Sequence, residues 1–423
     1  MKVLVIGGGG REHAIVHALK KSPKVDHIWC APGNGGIAQE AECVEIKATD
    51  IDGVIAFAKA QRPDLVMVAP DDPLALGCVD KLEAAGIPAF GPTAYAAQME
   101  ASKIFSKNLM RKYGIPTAKS EIFTEMDKAL AYLDTQGAPI VVKADGLALG
   151  KGVVVAATVE EAKQAVVEMM QGGKFGQSGA RVLIEECMVG REVTVLCFCD
   201  GKTIVPMKAS QDHKRALDGD KGPNTGGMGA FAPSPLYTEE IAERTEREIL
   251  LPTLHAMNAE GFTFKGVLYV GLMLTAEGPK VVEYNARFGD PETQAVLPLL
   301  ESDLFAIMRA VREQRLAETE IRWRGGAAAC IVLASGGYPG KYESGKAITG
   351  LADAEAAGAT VYHAGTKRTD AGYVTAGGRV LGVTALGDTL AEAIRRAYAA
   401  AEKIHFEGAH MRRDIGIRDT ERA

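Results

Sequence analysis

Short β-branched apolar runs alternate with helix-length stretches over the first hundred residues: KVLVIG, HIWCA, CVEI, DLVMVAP and IPAFGPT. Runs of this length, bounded by turn residues, read as buried strands, and their alternation with helices predicts a parallel, doubly wound sheet. Ligands of such sheets bind beyond the carboxyl ends of the strands, so the loops GGGGREH, APGNGG and APDDPLALG are the ones to examine. From residue 101 the pattern becomes a helix (ASKIFSKNLMRKYGIPT), a strand and a second helix. PIVVKADGLALGKGVVVAA then reads as strand, glycine-rich loop and strand, and RVLIEECMVGREVTVLCF as two strands about a turn at Gly190. Residues 209–235 (ASQDHKRALDGDKGPNTGGMGAFAPSP) hold no regular period, and a stretch that long without low complexity predicts an ordered substrate loop. The last hundred residues return to short strands (AAACIVLAS, AITGL, TVYHAGTK, GGRVLGVTALG) and one helix (TLAEAIRRAYAAAEKI), a small α+β domain to which no chemistry is assigned.

Length agrees with this division: 423 residues predict about three domains, each able to bury a core. The boundaries expected are 1–100, 101–323 with a glycine-rich flap at about 117–190, and 324–423. Apolar residues make up 47% and charged residues 24%, and no apolar run approaches the ~20 residues that cross a bilayer. The amino terminus enters a strand directly, which predicts a cytoplasmic protein without a membrane partner. Seven cysteines include no C-x-x-C pair, consistent with reduced thiols. A net charge of -6 offers no basic footprint for nucleic acid, so small molecules are the expected partners.

The stretch VVEYNARFGDPET carries the most concentrated chemistry. Strand alternation puts Glu283, Asn285 and Arg287 on one face. A carboxylate and an amide oxygen two residues apart can grip Mg²⁺, which takes its remaining oxygens from water and phosphates, and the arginine fork suits phosphate or carboxylate. The first loop fails as a dinucleotide motif, because Glu12 stands at the third glycine position and no acid follows the second strand. It remains a helix N-terminus with Arg11 beside it and His13 following, suited to a phosphate monoester. Gly146 to Gly150 is one residue too short for a Walker A sequence, Gly152 replaces its Ser/Thr, and a strand follows; the N–H groups of Gly150 to Gly152 are expected to fold over nucleotide phosphates, with Lys143 and Lys151 supplying charge. Lys103 and Lys107, one helical turn apart, could equally be a solvated face. Glu185 and Glu186 end a buried strand and need donors there: an adenine amino group, a ribose or a lysine, with a structural ion pair equally open.

GREH, KADGLALGKGV, SQDHKR, DGDKGPNTGGMGA, EYNARFGDPETQ and AGGRVLGVTALG, in this order, resemble the glycinamide ribonucleotide synthetases of the ATP-grasp superfamily over essentially the whole chain. The resemblance implies ligation of glycine to 5-phosphoribosylamine through glycyl phosphate, with ATP as co-substrate and Mg²⁺ or Mn²⁺ as metal, in a monomer or weak homodimer. It places Lys103 and Lys143 on the ATP phosphates, Gly150, Lys151 and Gly152 over them, and Glu185, Glu186, Cys187 and Glu192 around the adenosine. Glu283 and Asn285 would hold the metal. Arg287 would stabilise the transferred phosphoryl group, with Asp212 and Lys214 as further catalytic candidates. Gly9, Gly10, Arg11, Asn34, Asp72, Pro73, Asn224, Thr225, Gly226 and Asp290 would contact the substrates. Two departures stand out: Gly8 occupies the position where the family usually has Asn, and GVLYVGLML lacks the carboxylate that many ATP-grasp enzymes place before the E-x-N strand. A related carboxylase or formyl-group ligase, and a nucleotide-binding regulatory protein, are the alternative readings.

Overall fold

The structure is a computed structural model that describes residues 1–147, 152–171 and 179–420. Its amino-terminal sheet is parallel throughout, in the order Glu42–Cys43, His27–Pro32, Lys2–Gly7, Leu65–Val68, Ala89–Phe90. Leu4 and Ile6 face one apolar cluster and Val3 and Val5 the other, which is the two-sided burial that continuous β-branched runs demand. The doubly wound expectation holds.

The flap is an antiparallel sheet, ordered Ser120–Phe123, Val182–Glu186, Ile140–Ala144, Val153–Ala156. Helices Met126–Gln136 and Val159–Gln171 cover one face and close a cluster separate from the other cores, around Leu133, Val142, Val166 and Ile184. A unit with its own core can move as a body against its neighbours. Behind it, a second antiparallel sheet runs Ile204–Pro206, Arg191–Cys199, Gly266–Thr275, Gly278–Asn285. Its apolar side shares clusters with the amino-terminal sheet, so Val195 and Val270 pack in one core with Leu4 and Val66.

The stretch 209–235 is not an irregular loop. Gln211–Asp212 and Gly229–Ala232 join Ala327–Ala334, Arg379–Gly387 and Thr360–His363 in one five-stranded sheet, and Arg215–Leu217 pairs with Lys221–Asn224 as a hairpin. Strands of two to four residues rich in Gly and Pro carry too few apolar positions to show a period; Gly229–Ala232 is made a strand by pairing with the long strand Ala327–Ala334, and Gln211–Asp212 by pairing with Gly229–Ala232 in turn. The carboxyl-terminal sheet thus reaches back across residue 323 into the middle of the chain. No helix among the described residues is long and apolar enough to cross a membrane, and all seven cysteines are thiols.

Candidate active site

One cavity of about 1080 Å³ lies where the flap, the second sheet and the carboxyl-terminal sheet meet. Its floor is the strand Gly278–Asn285. The pairing with Gly266–Thr275 shifts register at Gly271/Leu272, leaving Val282 unmatched. Such a bulge re-aims side chains and releases a ladder carbonyl; here Val282 O accepts from Lys143 Nζ at 3.3 Å. Glu283 and Asn285, and Arg287 just past the strand's end, all line the cavity, as do the neighbouring Val282 and Tyr284.

Four cations surround Glu283. Burial opposes its charge, but Lys214, Lys143, Lys103 and Arg287 outweigh burial and hold the carboxyl down at about 2. Lys214 Nζ lies 3.5 Å from Glu283 Oε1 and 3.4 Å from Glu192 Oε2. With its amide oriented so that nitrogen donates to Glu100 Oε1 at 3.1 Å and to Tyr284 O at 3.2 Å, Asn285 keeps its oxygen for the cavity. No group of three or more His, Cys, Asp or Glu among the described residues forms a metal cage. The donor set is therefore one ionised carboxylate and one amide oxygen, which fits a hard cation that arrives with phosphate oxygens.

Arg287 is held by a residue that no sequence pattern singled out. Glu100, at the end of the short helix Gln98–Ala101, approaches Arg287 Nη2 at 2.7 Å and accepts the Ala286 N–H at 2.8 Å. Its signal was weak: one acid in a run of small and apolar residues, YAAQMEAS. Arg287 Nη1 donates to Phe288 O at 3.2 Å, while Nε has no partner among the described residues.

Lys103 and Lys107 do not form a solvated face. Lys103 Nζ reaches the Gly146 carbonyl of the flap at 2.9 Å. Lys107, 2% exposed, and Lys143 flank Glu185 at 2.7 Å from Oε1 and Oε2 respectively. The ion-pair reading of Glu185 is the one this geometry realises. Glu186 is exposed and its carboxylate accepts the Lys119 N–H at 3.0 Å, beside Cys187 at the cavity rim. Gly152 lines the cavity; Gly150 and Lys151 lie outside the described residues.

The segment 211–226 forms the facing wall, with Asp212, Lys214, Asn224, Thr225 and Gly226 all lining it. Burial pushes the Asp212 carboxyl up to about 7; Lys214 resists, and Glu292, Glu192 and Glu283 add to the rise. Thr225 fastens the turn to the strand by accepting from Gly227 N–H and donating to Lys214 O. His213 borders the cavity too, but its ring is engaged behind it: Gly416 N–H donates to Nε2 at 3.3 Å, and burial together with Arg412 lowers its pKa to about 4. Arg412, from the closing HMRRDIG, does not reach the cavity. It is 1% exposed and binds Asp414, Asp220 and the Arg215 carbonyl, clamping the hairpin that carries Asn224.

The carboxyl-terminal domain does bring chemistry, against the expectation. Arg379 enters the cavity, donates to the carbonyls of Gly226 and Asp290 at 2.9 and 2.8 Å, and pairs with Asp290 Oδ2 at 3.3 Å. It sits within the motif AGGRVLGV, so its signal was present and unread. Arg11 also lines the cavity, bonded to Glu12 Oε1 at 2.7 Å and Phe288 O at 3.2 Å. Gly9 N–H is taken by Glu12 Oε2 at 2.6 Å, so the helix N-terminus is capped by its own side chain; Gly10, beside Gln294, stands behind Arg11. Asp72 is exposed and Pro73 buried, whereas Asp71 faces the cavity. Asn34 is outside the cavity lining: Oδ1 accepts from Gly36 and Ile37 N–H, and Nδ2 donates to Gly8 O and His363 O.

Comparison with known proteins agrees with this arrangement along the whole chain. Family models for the phosphoribosylglycinamide synthetase N domain, ATP-grasp (A) domain and C domain match residues 1–100, 101–293 and 328–418. A phosphoribosylamine--glycine ligase of Vibrio cholerae is 50% identical over 99% of this chain and 98% of its own. Its Escherichia coli K12 counterpart is 50% identical over 100% of this chain and 99% of its own. The crystal structure of phosphoribosylamine--glycine ligase from Thermotoga maritima superposes with a TM-score of 0.86 at 32% identity, covering 98% of this chain and 100% of that one. A biotin carboxylase from Campylobacter jejuni shares the fold alone, at 14% identity and a TM-score of 0.73 over 97% of this chain and 92% of that one. With all three domain models matched in order and full-length relatives at half identity, this chain belongs to the phosphoribosylglycinamide synthetase family.

Proposed function

We propose that this chain ligates glycine to 5-phosphoribosylamine at the expense of ATP, giving glycinamide ribonucleotide, ADP and phosphate, as the names of its full-length relatives describe for them. The observation that carries the reading is the convergence, in one cavity, of Glu283, Asn285 and Arg287 with Lys103 and Lys143 on one side and Arg11, Arg379 and Asp290 on the other. Lysines and the flap loop at 146–152 suit nucleotide phosphates. The wall built by Arg11, Asn224, Thr225, Gly226, Asp290 and Arg379 suits an anionic sugar substrate and an amino acid.

ATP phosphorylates the glycine carboxylate, and the amine of phosphoribosylamine attacks the resulting acyl phosphate. A divalent ion, Mg²⁺ or Mn²⁺, would be held by Glu283 and Asn285 and would neutralise phosphate charge. Arg287, fixed by Glu100, offers donors to the transferred phosphoryl group and to the oxyanion of the amide-forming step. Asp212, with its carboxyl pushed up to about 7, stands in the same wall as a group able to accept a proton from the attacking amine. Lys214 links Glu192 to Glu283 and so joins the nucleotide and metal sides. Holding reactants in attack geometry contributes ~7 to 11 kcal/mol, and the flap excludes water that would hydrolyse the acyl phosphate. The cavity is completed within one chain, which suits a monomer or weak homodimer working in the cytoplasm, with domains divided near residues 100 and 323.

The test is ADP release from purified protein with MgATP and glycine, with and without freshly generated phosphoribosylamine. ADP appearing only with both, alongside glycinamide ribonucleotide, is the expected result. Turnover with bicarbonate or formate but none with glycine would retain the phosphoryl chemistry and discard these substrates.

A further inference from the structure

Lys107 borders the cavity beside Lys103 and sits where three elements meet. Its ammonium donates to Thr117 Oγ1 at 2.7 Å and to Ala118 O at 3.3 Å, and lies 2.7 Å from Glu185 Oε1. Thr117 Oγ1 in turn donates to Val281 O at 2.7 Å, on the strand that carries Glu283 and Asn285. Glu185 ends the central flap strand Val182–Glu186, and its second oxygen holds Lys143 at 2.7 Å. The flap, the metal-side strand and the phosphate-side lysine are thus joined through one ammonium.

Charge counting gives this node a purpose. Lys107 and Glu185 are 2% and 3% exposed, and Lys143 is 5% exposed. A buried carboxylate facing a single lysine makes a neutral pair, and the lysine's attraction for phosphate is largely cancelled at short range. Two lysines sharing one carboxylate leave a net positive charge, and Thr117 and Ala118 fix Lys107 as the partner that stays. We propose that Lys107 is a positioning residue: by neutralising Glu185 it frees Lys143 to carry its charge to the nucleotide phosphates, and through Thr117 it keeps that lysine in register with the Glu283 strand. The inference rests on the ATP-site reading above and goes beyond it, since that reading gives Lys107 no role.

The test separates charge balance from simple structural support. MgATP affinity is measured directly by calorimetry, beside the KM values for MgATP, glycine and phosphoribosylamine and the Tm. Lys107→Met is expected to weaken MgATP binding about tenfold or more, the scale of one lost charge-assisted contact, with the KM values of the other two substrates within about threefold. Lys107→Arg, which keeps the charge, recovers much of the loss. Lys107→Met combined with Glu185→Gln removes both charges, leaves Lys143 uncancelled, and regains a large part of the affinity lost by Lys107→Met alone. If Lys107→Met does not fold, the double variant is compared with the wild type, and a tenfold loss of MgATP affinity at unchanged Tm overturns the proposal. A double variant no better than Lys107→Met, or a loss spread equally over all three substrates, also overturns it. Should the wild type bind MgATP without forming glycinamide ribonucleotide, the ligase reading falls while the binding series still decides this one.

Discussion

Glu100→Gln isolates what a buried carboxylate does for the catalytic arginine. In the native chain Glu100 Oε1 lies 2.7 Å from Arg287 Nη2 and Oε2 accepts the Ala286 N–H at 2.8 Å. Burial raises the Glu100 carboxyl and Arg287 resists that rise, while the Arg287 guanidinium is held more firmly protonated than usual, burial opposing and Glu100 prevailing. Glutamine keeps the shape and one acceptor but loses the charge. A charge-assisted hydrogen bond contributes about 1.5 to 3 kcal/mol, and if it is spent on aiming Arg287 in the transition state, kcat falls roughly ten- to a hundredfold with the KM for MgATP little changed. Glu100→Ala goes further by leaving Arg287 buried without a counter-ion, at a cost of about 3 to 5 kcal/mol in stability, roughly 6 to 20 °C in Tm for a cooperative unit of this size. Single-turnover ADP formation and thermal unfolding read the two effects. Wild-type turnover in Glu100→Gln would refute the assignment, as would a change confined to the KM values of glycine and phosphoribosylamine.

Glu283→Ala removes the ionised ligand of the metal-side pair, and ligation is expected to fall by roughly a hundred- to a thousandfold; near-normal turnover at saturating Mg²⁺ or Mn²⁺ would contradict the role. Asn34→Ala deletes four side-chain hydrogen bonds to backbone groups, so about 2 to 4 kcal/mol of stability is lost, and chemical denaturation should show it; a normal midpoint with a selective rise in the KM for phosphoribosylamine would restore Asn34 to the substrate site. His213 has a folded-state pKa lowered to about 4 against an ordinary 6.5. The unfolded chain therefore binds the extra proton first, and stability present above about pH 6.5 declines toward pH 4 by roughly 3 kcal/mol. His213→Gln should flatten that part of the pH–stability curve, and an unchanged slope would show that His213 is not its source.

Much of the site was legible because its signals are local. Glu283 and Asn285 lie two apart on one strand, with Arg287 two residues on, just past its end, and period-two alternation alone predicted that the three share one side. Lys143 stood out as charge beside the glycine-rich stretch of KADGLALGKGV, whereas Lys103 did so only through the ordered motif series, since a lysine one turn from another on a helix reads equally well as solvated. Glu185 was read from the cost of burying an acid at a strand end, and that cost is met by two lysines that lie 42 and 78 residues away in the chain. Glu100 and Arg379 were missed because their partners lie far away in the chain, and a side chain's charge partner across a fold leaves no trace in its neighbours' spacing.

Apolar periodicity and turn residues were sufficient to determine the parallel amino-terminal sheet, the strands of the flap and the carboxyl-terminal strands, because secondary structure answers to residues within one or two turns of each other. Long-range pairing decided the rest. Within residues 209–235, Gly229–Ala232 joined a sheet by hydrogen-bonding to Ala327–Ala334, a hundred residues on. Asn34 became an interdomain tie only because His363 O came to meet its amide. The balance of charge around Glu283 and Glu185 likewise exists only once burial has brought distant lysines within reach, since Coulomb energy depends on distance in space and on the loss of water, and neither is written along the chain.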